Sequence, residues 1–186
     1  MRYPAAETAE KHARILDQAS RLFRERGFSG VSVSEIMKAT GLTHGPFYNH
    51  FASKEALIAE SLTHASASSM AGLQAASASA ESMRDYVQHY LDAGHRDAPG
   101  EGCLMAAMGS EIAREPSART AFTVHLKATL ASLVATFPWS SKRFARRDAI
   151  RMTASMVGAM ILARAVDDPA LSDEILREVR GQFGQK

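Results

Sequence analysis

A short segment at residues 43–51 carries hydrogen-bonding and aromatic side chains but no acidic one. The amide of Asn49 can pair with adenine through two hydrogen bonds, and Gly45 would let the backbone approach closely. The hydroxyl of Tyr48 suits phosphate, a contact that fixes the position of a protein on DNA without reading its sequence. A helix over this segment would present on its outer face His44, Gly45, Tyr48 and Asn49, with His50 at the margin. This chemistry suits contact with DNA.

Two short helices joined by a glycine turn are predicted to position these side chains. Ser32 begins the first helix with a capping box, in which Ser32 and Glu35 each bond the other's backbone N–H. Gly41 ends that helix in a left-handed turn, and a second helix follows with Phe47 and Phe51 facing inward. A helix-turn-helix of this kind places its second helix in the major groove. Two short helices also occur in bundles that bind nothing, so the pattern alone leaves both interpretations open.

The run from Gly27 to Leu57 resembles the DNA-binding domain of the TetR family of one-component transcriptional regulators. It carries Gly27-Phe28 after a long amphipathic helix, Gly41 in the turn, and the sequence FYNHF followed by SKEAL. The resemblance implies an all-helical homodimer. Each chain would have an N-terminal DNA-reading domain and a larger C-terminal domain that binds a ligand and dimerises.

The resemblance also implies which residues contact DNA. The matching positions are Ser32, Ser34, Thr43, His44, Gly45, Tyr48, Asn49, His50 and Lys54. The combination of His44, Gly45 and Pro46 is not shared by the whole family, so the operator cannot be borrowed from a relative. A two-fold dimer would impose a palindromic site with half-sites about 34–36 Å apart, or a multiple of that distance. The predicted partners are therefore double-stranded DNA, a small-molecule inducer and a second copy of the chain.

Composition places the chain in the globular class. Of its 186 residues, 46% are apolar and 23% charged, which excludes a disordered or fibrous protein. No segment alternates with the period of a strand, so we predict an all-α fold. No signal peptide or membrane-spanning stretch is recognisable, and a single cysteine favours a reducing cytoplasm. The net charge of +2 does not by itself indicate nucleic acid, although residues 1–54 hold 8 Lys/Arg against 5 Asp/Glu, an excess of 3.

Apolar periodicity predicts nine helices in two domains. The DNA-binding domain is placed at residues 1–53 and the ligand-binding and dimerisation domain at residues 54–186. Beside the two short helices, we predict helices over Ala9–Arg26, from Lys54 to about Leu73, and over Met83–Leu91, Cys103–Ala113, Ala118–Phe137, Phe144–Val166 and Leu171–Phe183. Met1–Thr8 is predicted to be a mobile arm and Arg96–Gly102 a loop. The helix from Lys54 begins beside the DNA surface, so it is the expected mechanical link between the domains.

The dimer surface is predicted within residues 144–183. The stretch Met152–Ala163 is apolar nearly all round, as expected for a helix between its own core and a partner. A buried central helix in a monomer is the alternative, and the family resemblance favours the dimer.

An inducer cavity is expected among the helices of the second domain. Methionine fills irregular space, and few interior charges are evident, so a mostly apolar or aromatic ligand is predicted. The candidate lining residues are Met70, Met83, Tyr86, Tyr90, Met105, Met108, Phe122, Leu126, Met152 and Met156. Each of them could equally be an ordinary core residue.

Other functions rest on fewer residues. Cys103 is predicted to start a helix, where backbone N–H groups can activate a thiol, and some relatives with a glycine-cysteine-leucine here sense oxidants or electrophiles. The alternative for Cys103 is a small buried apolar residue. No repeated Glu-x-x-His pair, nucleophile elbow or phosphate loop indicates an enzyme, and no metal site or cofactor is predicted. A helical scaffold that binds no DNA is the remaining alternative.

Overall fold

The computed structural model describes residues 5–43, 45–74 and 80–184, and this part of the chain is helical without a strand. The α-helices are α1 (Ala5–Arg26), α2 (Val33–Ala39), α3 (Lys54–Gln74), α4 (Ala80–Tyr90), α5 (Ala93–Asp97), α6 (Leu104–Ile112), α7 (Pro116–Thr136), α8 (Ala145–Ala165) and α9 (Pro169–Gly184). Two 3-10 turns cover Gly45–Asn49 and Pro99–Glu101. The predicted all-α class is confirmed. None of the described helices is long and apolar enough to cross a membrane.

Helix α1 starts earlier than predicted. It begins at Ala5, so part of the predicted mobile arm is helical, while residues 1–4 lie outside the described residues. An ion pair of 2.8 Å between Glu7 and Lys11 joins one turn to the next in this added segment. The helix ends where Gly27 adopts a φ of +76°, a left-handed conformation that glycine enters without steric cost.

The capping box and the turn after α2 form as predicted. The hydroxyl of Ser32 accepts from the N–H of Glu35 at 3.2 Å, and the Glu35 carboxylate accepts from the N–H of Ser32 at 2.8 Å. Gly41 has a φ of +74°, and the N–H of Leu42 donates to the carbonyl of Met37 at 3.0 Å. These bonds fix the direction in which the chain leaves α2.

The second helix of the predicted helix-turn-helix is shorter than expected. Instead of an α-helix over Thr43–Phe51, the chain forms the 3-10 turn Gly45–Asn49. Gly45 has low helix propensity and Pro46 has no backbone N–H, and the aromatic residues that follow favour helices only weakly. Burial of Phe47 and Phe51, not a long helix, therefore holds this segment in place.

Two apolar cores organise the chain. The first joins α1, α2 and the Gly45–Asn49 turn to the start of α3, to α6 and to Ala118 of α7. The second is formed mainly by α4, α7, α8 and α9. The first core continues across the predicted division between residues 53 and 54, because Leu57, Ile58 and Leu62 of α3 belong to it.

The segment predicted as the loop Arg96–Gly102 has local structure. Asp92 caps the short helix α5 by accepting from the N–H of Gly94 at 2.7 Å, and the Pro99–Glu101 turn follows. Arg96 forms ion pairs of 2.7 Å with Asp97 and with Asp173 of α9. The prediction of a plain loop was wrong. The two elements in this segment are too short for a pattern of apolar residues to reveal them, and polar bonds stabilise them instead.

Candidate nucleic-acid interface and ligand cavity

The 3-10 turn separates buried aromatic residues from exposed polar ones. Phe47 is 1% exposed, and its ring centroid lies 5.6 Å from that of Phe51, which is also buried. Tyr48 is 65% exposed, although its ring meets Phe47 edge to face at 5.1 Å. The other exposed residues of the predicted DNA-contacting segment are Thr43, Gly45 and Asn49. The two buried rings thus anchor a surface that can meet a nucleic acid.

Two further predicted DNA contacts, Ser32 and Ser34, lie at the start of α2. Ser32 and Ser34 are both exposed. The Ser32 hydroxyl also donates to the Glu35 carboxylate at 2.7 Å, so this hydroxyl both donates and accepts within the cap. The backbone and then the side chain of Ser32 hold the pKa of Glu35 below its usual value. His44 lies outside the described residues.

Lys54 is engaged within the protein. Its half-buried ammonium donates to the carbonyls of Phe28 and Val31, both at 2.6 Å. An ammonium has three N–H donors, so one remains for a phosphate. The phosphate contact of Lys54 stays a prediction, and the two bonds that close the turn after α1 were not predicted.

His50 faces α1 more than solvent. Its ring lies 5.7 Å from that of His12, which stacks on Phe51 at 4.5 Å. Burial, and then the charges of His12 and Lys11, lower the pKa of His50 below its usual value. His50 is therefore neutral at neutral pH and can offer a hydrogen bond, but not a full charge, to DNA.

Two histidine–carboxylate contacts join α1 to α3. His12 Nε2 lies 2.6 Å from Glu60 Oε1, and His64 Nε2 lies 2.6 Å from Asp17 Oδ1. The sequence offered no signal for these contacts because the partners are 47 and 48 residues apart. They bind the helix that supports the DNA-facing surface to the helix that enters the second domain.

A cavity of about 450 Å³ lies among α3, α4, α6 and α7 beneath the Pro99–Glu101 turn. Its lining consists of Ser69, Leu73, Tyr86, His89, Tyr90, His95, Glu101, Gly102, Cys103, Leu104, Met105, His125 and Thr129. Three of the predicted ligand residues, Tyr86, Tyr90 and Met105, are among them, and so is Cys103. The volume lies within the range of small-molecule sites.

The other predicted ligand residues lie elsewhere. Met108 is buried in the first core, and Phe122 packs against that core. Met83 and Leu126 pack against the second core. Met152 and Met156 line a separate space of about 10 Å³ that also touches Tyr86, Tyr90 and Met105. The side chain of Met70 lies outside the described part of the chain.

Three histidines of the cavity wall were not predicted. His95 Nδ1 lies 2.6 Å from the carbonyl of Tyr90, while His95 Nε2 accepts from the N–H of Cys103 at 2.9 Å. His125 Nδ1 lies 2.7 Å from the hydroxyl of Ser66. Burial lowers the pKa of both histidines, so the wall is neutral at these positions. The third histidine of the cavity wall is His89.

Two tyrosines supply hydroxyl groups at the same wall. Burial, followed by the nearby Cys103, raises the pKa of Tyr86 and of Tyr90 well above the usual value. Both phenols are therefore protonated and can donate hydrogen bonds. Among the described residues, no group of three or more His, Cys, Asp or Glu side chains could hold a metal ion.

Exposed apolar side chains concentrate at the C-terminal helices. The buried face of α8 includes Met152, Met156 and Met160, which belong to the second core. Large apolar residues that remain exposed on or beside α8 and α9 are Phe144, Ile150, Ile161, Leu162 and Leu171. A Cβ at Gly158 would meet no atom within 4 Å, so the surface there is open. This region coincides with the predicted dimer surface.

Sequence comparison finds one matching family model, described as bacterial regulatory proteins of the tetR family, over residues 15–61. The regulator AcrR of Shigella flexneri is 46% identical over 54 residues, which are 29% of this chain and 25% of AcrR. The repressor KstR2 of Rhodococcus jostii is 42% identical over 62 residues, 32% of this chain and 30% of KstR2. The repressor DhaR of Mycobacterium sp. is 31% identical over 100 residues, 53% of this chain and 50% of DhaR. The chain thus spans half or less of the length of these relatives.

Structural comparison extends the likeness to the whole fold. The reduced form of NemR from E. coli has a TM-score of 0.77 and 22% identity, covering 94% of this chain and 95% of NemR. A TetR family regulator from Agrobacterium tumefaciens has a TM-score of 0.75 and 23% identity, covering 94% and 97% of the two chains. A TetR regulator from Chloroflexus aurantiacus has a TM-score of 0.75 and 23% identity, covering 97% and 98%. At these identities the likeness establishes the fold alone.

Proposed function

We propose that this chain is a dimeric, sequence-specific transcriptional repressor of the TetR type, because the model of that family matches residues 15–61. A small ligand would release it from a palindromic operator. The protein would act in the cytoplasm, and not as an enzyme. The names of KstR2 and DhaR, both repressors, favour repression over activation.

The observation that carries DNA binding is the division of the 43–51 segment into a buried and an exposed side. Phe47 and Phe51 are buried in the first core, whereas Tyr48 and Asn49 are exposed in a segment without an acidic residue. Asn49 is placed to read a base edge, and Tyr48 to contact phosphate. We assign Ser34, Thr43 and Gly45 to the same surface, with Ser32, His50 and Lys54 at its edges. We also propose His44 as a DNA contact, from the sequence alone.

Dimerisation would bring two such surfaces onto one duplex. The exposed apolar residues of α8 and α9 support an interface within residues 144–183, because large apolar groups gathered on one face of a monomer commonly mark a contact surface. The open surface at Gly158 would let a partner helix come close. The two-fold axis would then set the half-site spacing of the operator.

Ligand control requires that the ligand prefer a conformation in which the two DNA-binding domains are wrongly spaced. The cavity beside α6 is the proposed ligand site, with an apolar or aromatic ligand packed on Tyr86, Leu73 and Met105. Helix α3 continues from the first core to the cavity, since Leu73 lines it. Displacement of α3 and α6 would therefore move the DNA-binding domain.

A second candidate is control through the thiol of Cys103. This residue lines the cavity, is half-buried and immediately precedes α6. Cationic Arg24 and Arg164 lie close enough to interact electrostatically with it. The likeness to NemR, whose structure is described as a reduced form, adds some weight to this alternative.

The first test is selection of genomic fragments by the full-length protein, followed by gel shifts at moderate salt. A regulator retains a few fragments that carry a palindrome, because specific complexes survive salt that strips non-specific ones. Retention of fragments in proportion to length alone would contradict the proposal. Cys103→Ser separates the two modes of control: if peroxide releases the parent and the variant equally, the thiol is not the sensor.

A further inference from the structure

The phenol of Tyr90 is a buried polar group of the cavity wall. Tyr90 is 9% exposed, and its hydroxyl oxygen is buried without an oxygen or nitrogen partner among the described residues; its nearby partner is the thiol of Cys103, a weak acceptor. Burial of a hydroxyl without a partner is unfavourable, and a ligand with an acceptor oxygen would relieve it. Because the phenol is protonated, it would act as the donor.

Arg164 places a positive charge behind the same wall. Its Nε donates to the carbonyl of Arg96 at 2.9 Å, and its Nη2 donates to the carbonyl of His95 at 2.6 Å. Its Nη1 is buried without a partner, and no salt bridge to Arg164 occurs among the described residues. A guanidinium cannot lose its charge in a protein. Two carbonyl dipoles and electrostatic interactions with Tyr90, Cys103 and Asp97 stabilise this charge, without a direct ion pair among the described residues.

The guanidinium and the phenol belong to one part of the wall. A Cβ on Gly102 would lie 3.1 Å from Arg164 Nη2 and 2.7 Å from the ring of His95, so the arginine lies directly against the cavity-lining loop. Arg164 also interacts electrostatically with Tyr90 and Cys103, both of which line the cavity. The carboxylate of Glu101, which also lines the cavity, is 73% exposed and lies 3.5 Å from Arg21.

We propose that the cavity binds a small aromatic carboxylic acid as its anion, with the carboxylate accepting from the Tyr90 hydroxyl and lying against Arg164. The aromatic body packs on the ring of Tyr86 and on Leu73 and Met105. This inference rests on the proposed ligand-binding role of the cavity and adds the acidic group to the aromatic ligand predicted from the sequence. A half-buried cation without a direct ion pair and a phenol whose nearby acceptor is a thiol both gain a stronger partner when such an anion binds.

The test uses three probes of similar shape on the full-length protein without DNA: 2-naphthoate, the neutral ketone 2-acetonaphthone and the hydrocarbon 2-ethylnaphthalene. Calorimetric titration should show that 2-naphthoate binds about tenfold more tightly than the ketone, and the ketone more tightly than the hydrocarbon. Equal affinity for the acid and the ketone would overturn the assignment to an anion. Failure of all three to bind would overturn the site itself.

Three single-residue variants test which side chains cause the differences in affinity between the probes. Tyr90→Phe should weaken 2-naphthoate about tenfold and leave 2-ethylnaphthalene unchanged. Arg164→Gln should abolish the preference for the acid over the ketone, with circular dichroism as a check on folding. Thr153→Val is the matched control, since Thr153 Oγ1 is also buried without a partner but lines only the separate 10 Å³ space. An unchanged affinity of Tyr90→Phe for 2-naphthoate would contradict the assignment even if Arg164→Gln does not fold.

A separate measurement tests whether 2-naphthoate changes the affinity of the protein for DNA. If 2-naphthoate binds as expected but does not change affinity for a selected DNA fragment, ligand-controlled release is contradicted and the anion site stands. If DNA affinity responds to another ligand class while naphthoate does not bind, the anion site is contradicted and ligand control stands.

Discussion

The imidazole of His95 accepts a hydrogen bond from the backbone N–H of Cys103 at 2.9 Å, which ties α5 to the start of α6 across the mouth of the cavity. This bond requires His95 to be neutral at Nε2, because a protonated imidazole donates from both nitrogens. Burial is the main cause that lowers the pKa of His95 below 6.5. Arg164 and His89 lower it further, while the Tyr90 carbonyl and Asp92 act the other way.

The first prediction concerns pH and stability. When the folded-state pKa of a histidine lies below its unfolded value, the unfolded chain binds more protons between the two values. Stability should therefore be constant above neutral pH and fall as pH drops below about 6.5, with His50, His95 and His125 all contributing in this direction. Urea unfolding at several pH values from 8 to 5 measures the slope.

His95→Gln tests how much the imidazole of His95 contributes to the loss of stability at low pH. Glutamine can accept from the N–H of Cys103 but does not titrate, so the variant should lose less stability than the parent on acidification. A slope identical to that of the parent would show that His95 is not one of the groups responsible.

The second prediction concerns base reading. Asn49→Ala should weaken binding to a selected DNA fragment by about 1–3 kcal/mol and relax the preference at one base pair of each half-site. Tyr48→Phe should weaken binding similarly on all sequences, because a phosphate contact does not read a base. Competition titrations at fixed salt on matched and mutated fragments measure both. Loss of affinity in Asn49→Ala without any change of base preference would contradict its role as a reader.

The third prediction separates anchor from surface in the same segment. Phe47→Ala should cost about 3–5 kcal/mol of folding free energy, because Phe47 is fully buried in the first core. Tyr48→Ala, one residue further on and 65% exposed, should change stability by only about 0.5 kcal/mol. Thermal and urea unfolding compare the two. Similar costs for both variants would mean that the division of this segment into buried and exposed sides is incorrect.

Local patterns in the sequence were sufficient to predict the first domain. The capping box of Ser32 and Glu35, the turn at Gly41 and the buried pair Phe47 and Phe51 each depend on residues within a few positions of one another. The length of the second helix was mispredicted because apolar spacing cannot distinguish a 3-10 turn from one α-helical turn over five residues.

The cavity could be predicted only in part. Tyr86, Tyr90 and Met105 were found because large adaptable side chains were sought on predicted helices. His95 and His125 escaped because their roles depend on contacts between α4, α5, α6 and α7, which no local period encodes. The apolar type of a residue also does not tell which side of a helix faces the cavity. Met108 was therefore predicted as a ligand residue, although it lies in the first core.

The fourth prediction concerns assembly. Leu162→Glu on α8 should convert a dimer into a monomer of 20.1 kDa, because a charge would be buried against the partner helix. Leu162 is 56% exposed in the single chain, so the variant should fold normally. Val124→Glu is the matched control, since Val124 is 63% exposed on α7 and lies outside residues 144–183. Sedimentation analysis that finds both variants in the same state would contradict the proposed interface.

The fifth prediction concerns how the cavity communicates with the DNA-binding domain. Glu111 of α6 accepts from the backbone N–H of Phe28 at 2.6 Å, and a Cβ on Gly27 would lie 2.1 Å from the same carboxylate. Helix α6 therefore runs from Cys103 at the cavity to the turn that ends α1. Since Phe28 belongs to the first core, a shift of α6 would be passed to the DNA-binding surface through this bond.

Glu111→Ala should leave ligand affinity unchanged while reducing the effect of the ligand on DNA affinity, a coupling of typically about 1–3 kcal/mol. Its matched control is Glu115→Ala, because Glu115 also accepts from a backbone N–H, that of Ser117 at 3.3 Å, but caps α7 without touching α1. Ligand titrations with and without a selected DNA fragment give the coupling for each variant. If Glu111→Ala retains the coupling of the parent, the signal must travel through α3 and its contacts with α1, because the α6 route would then be unnecessary.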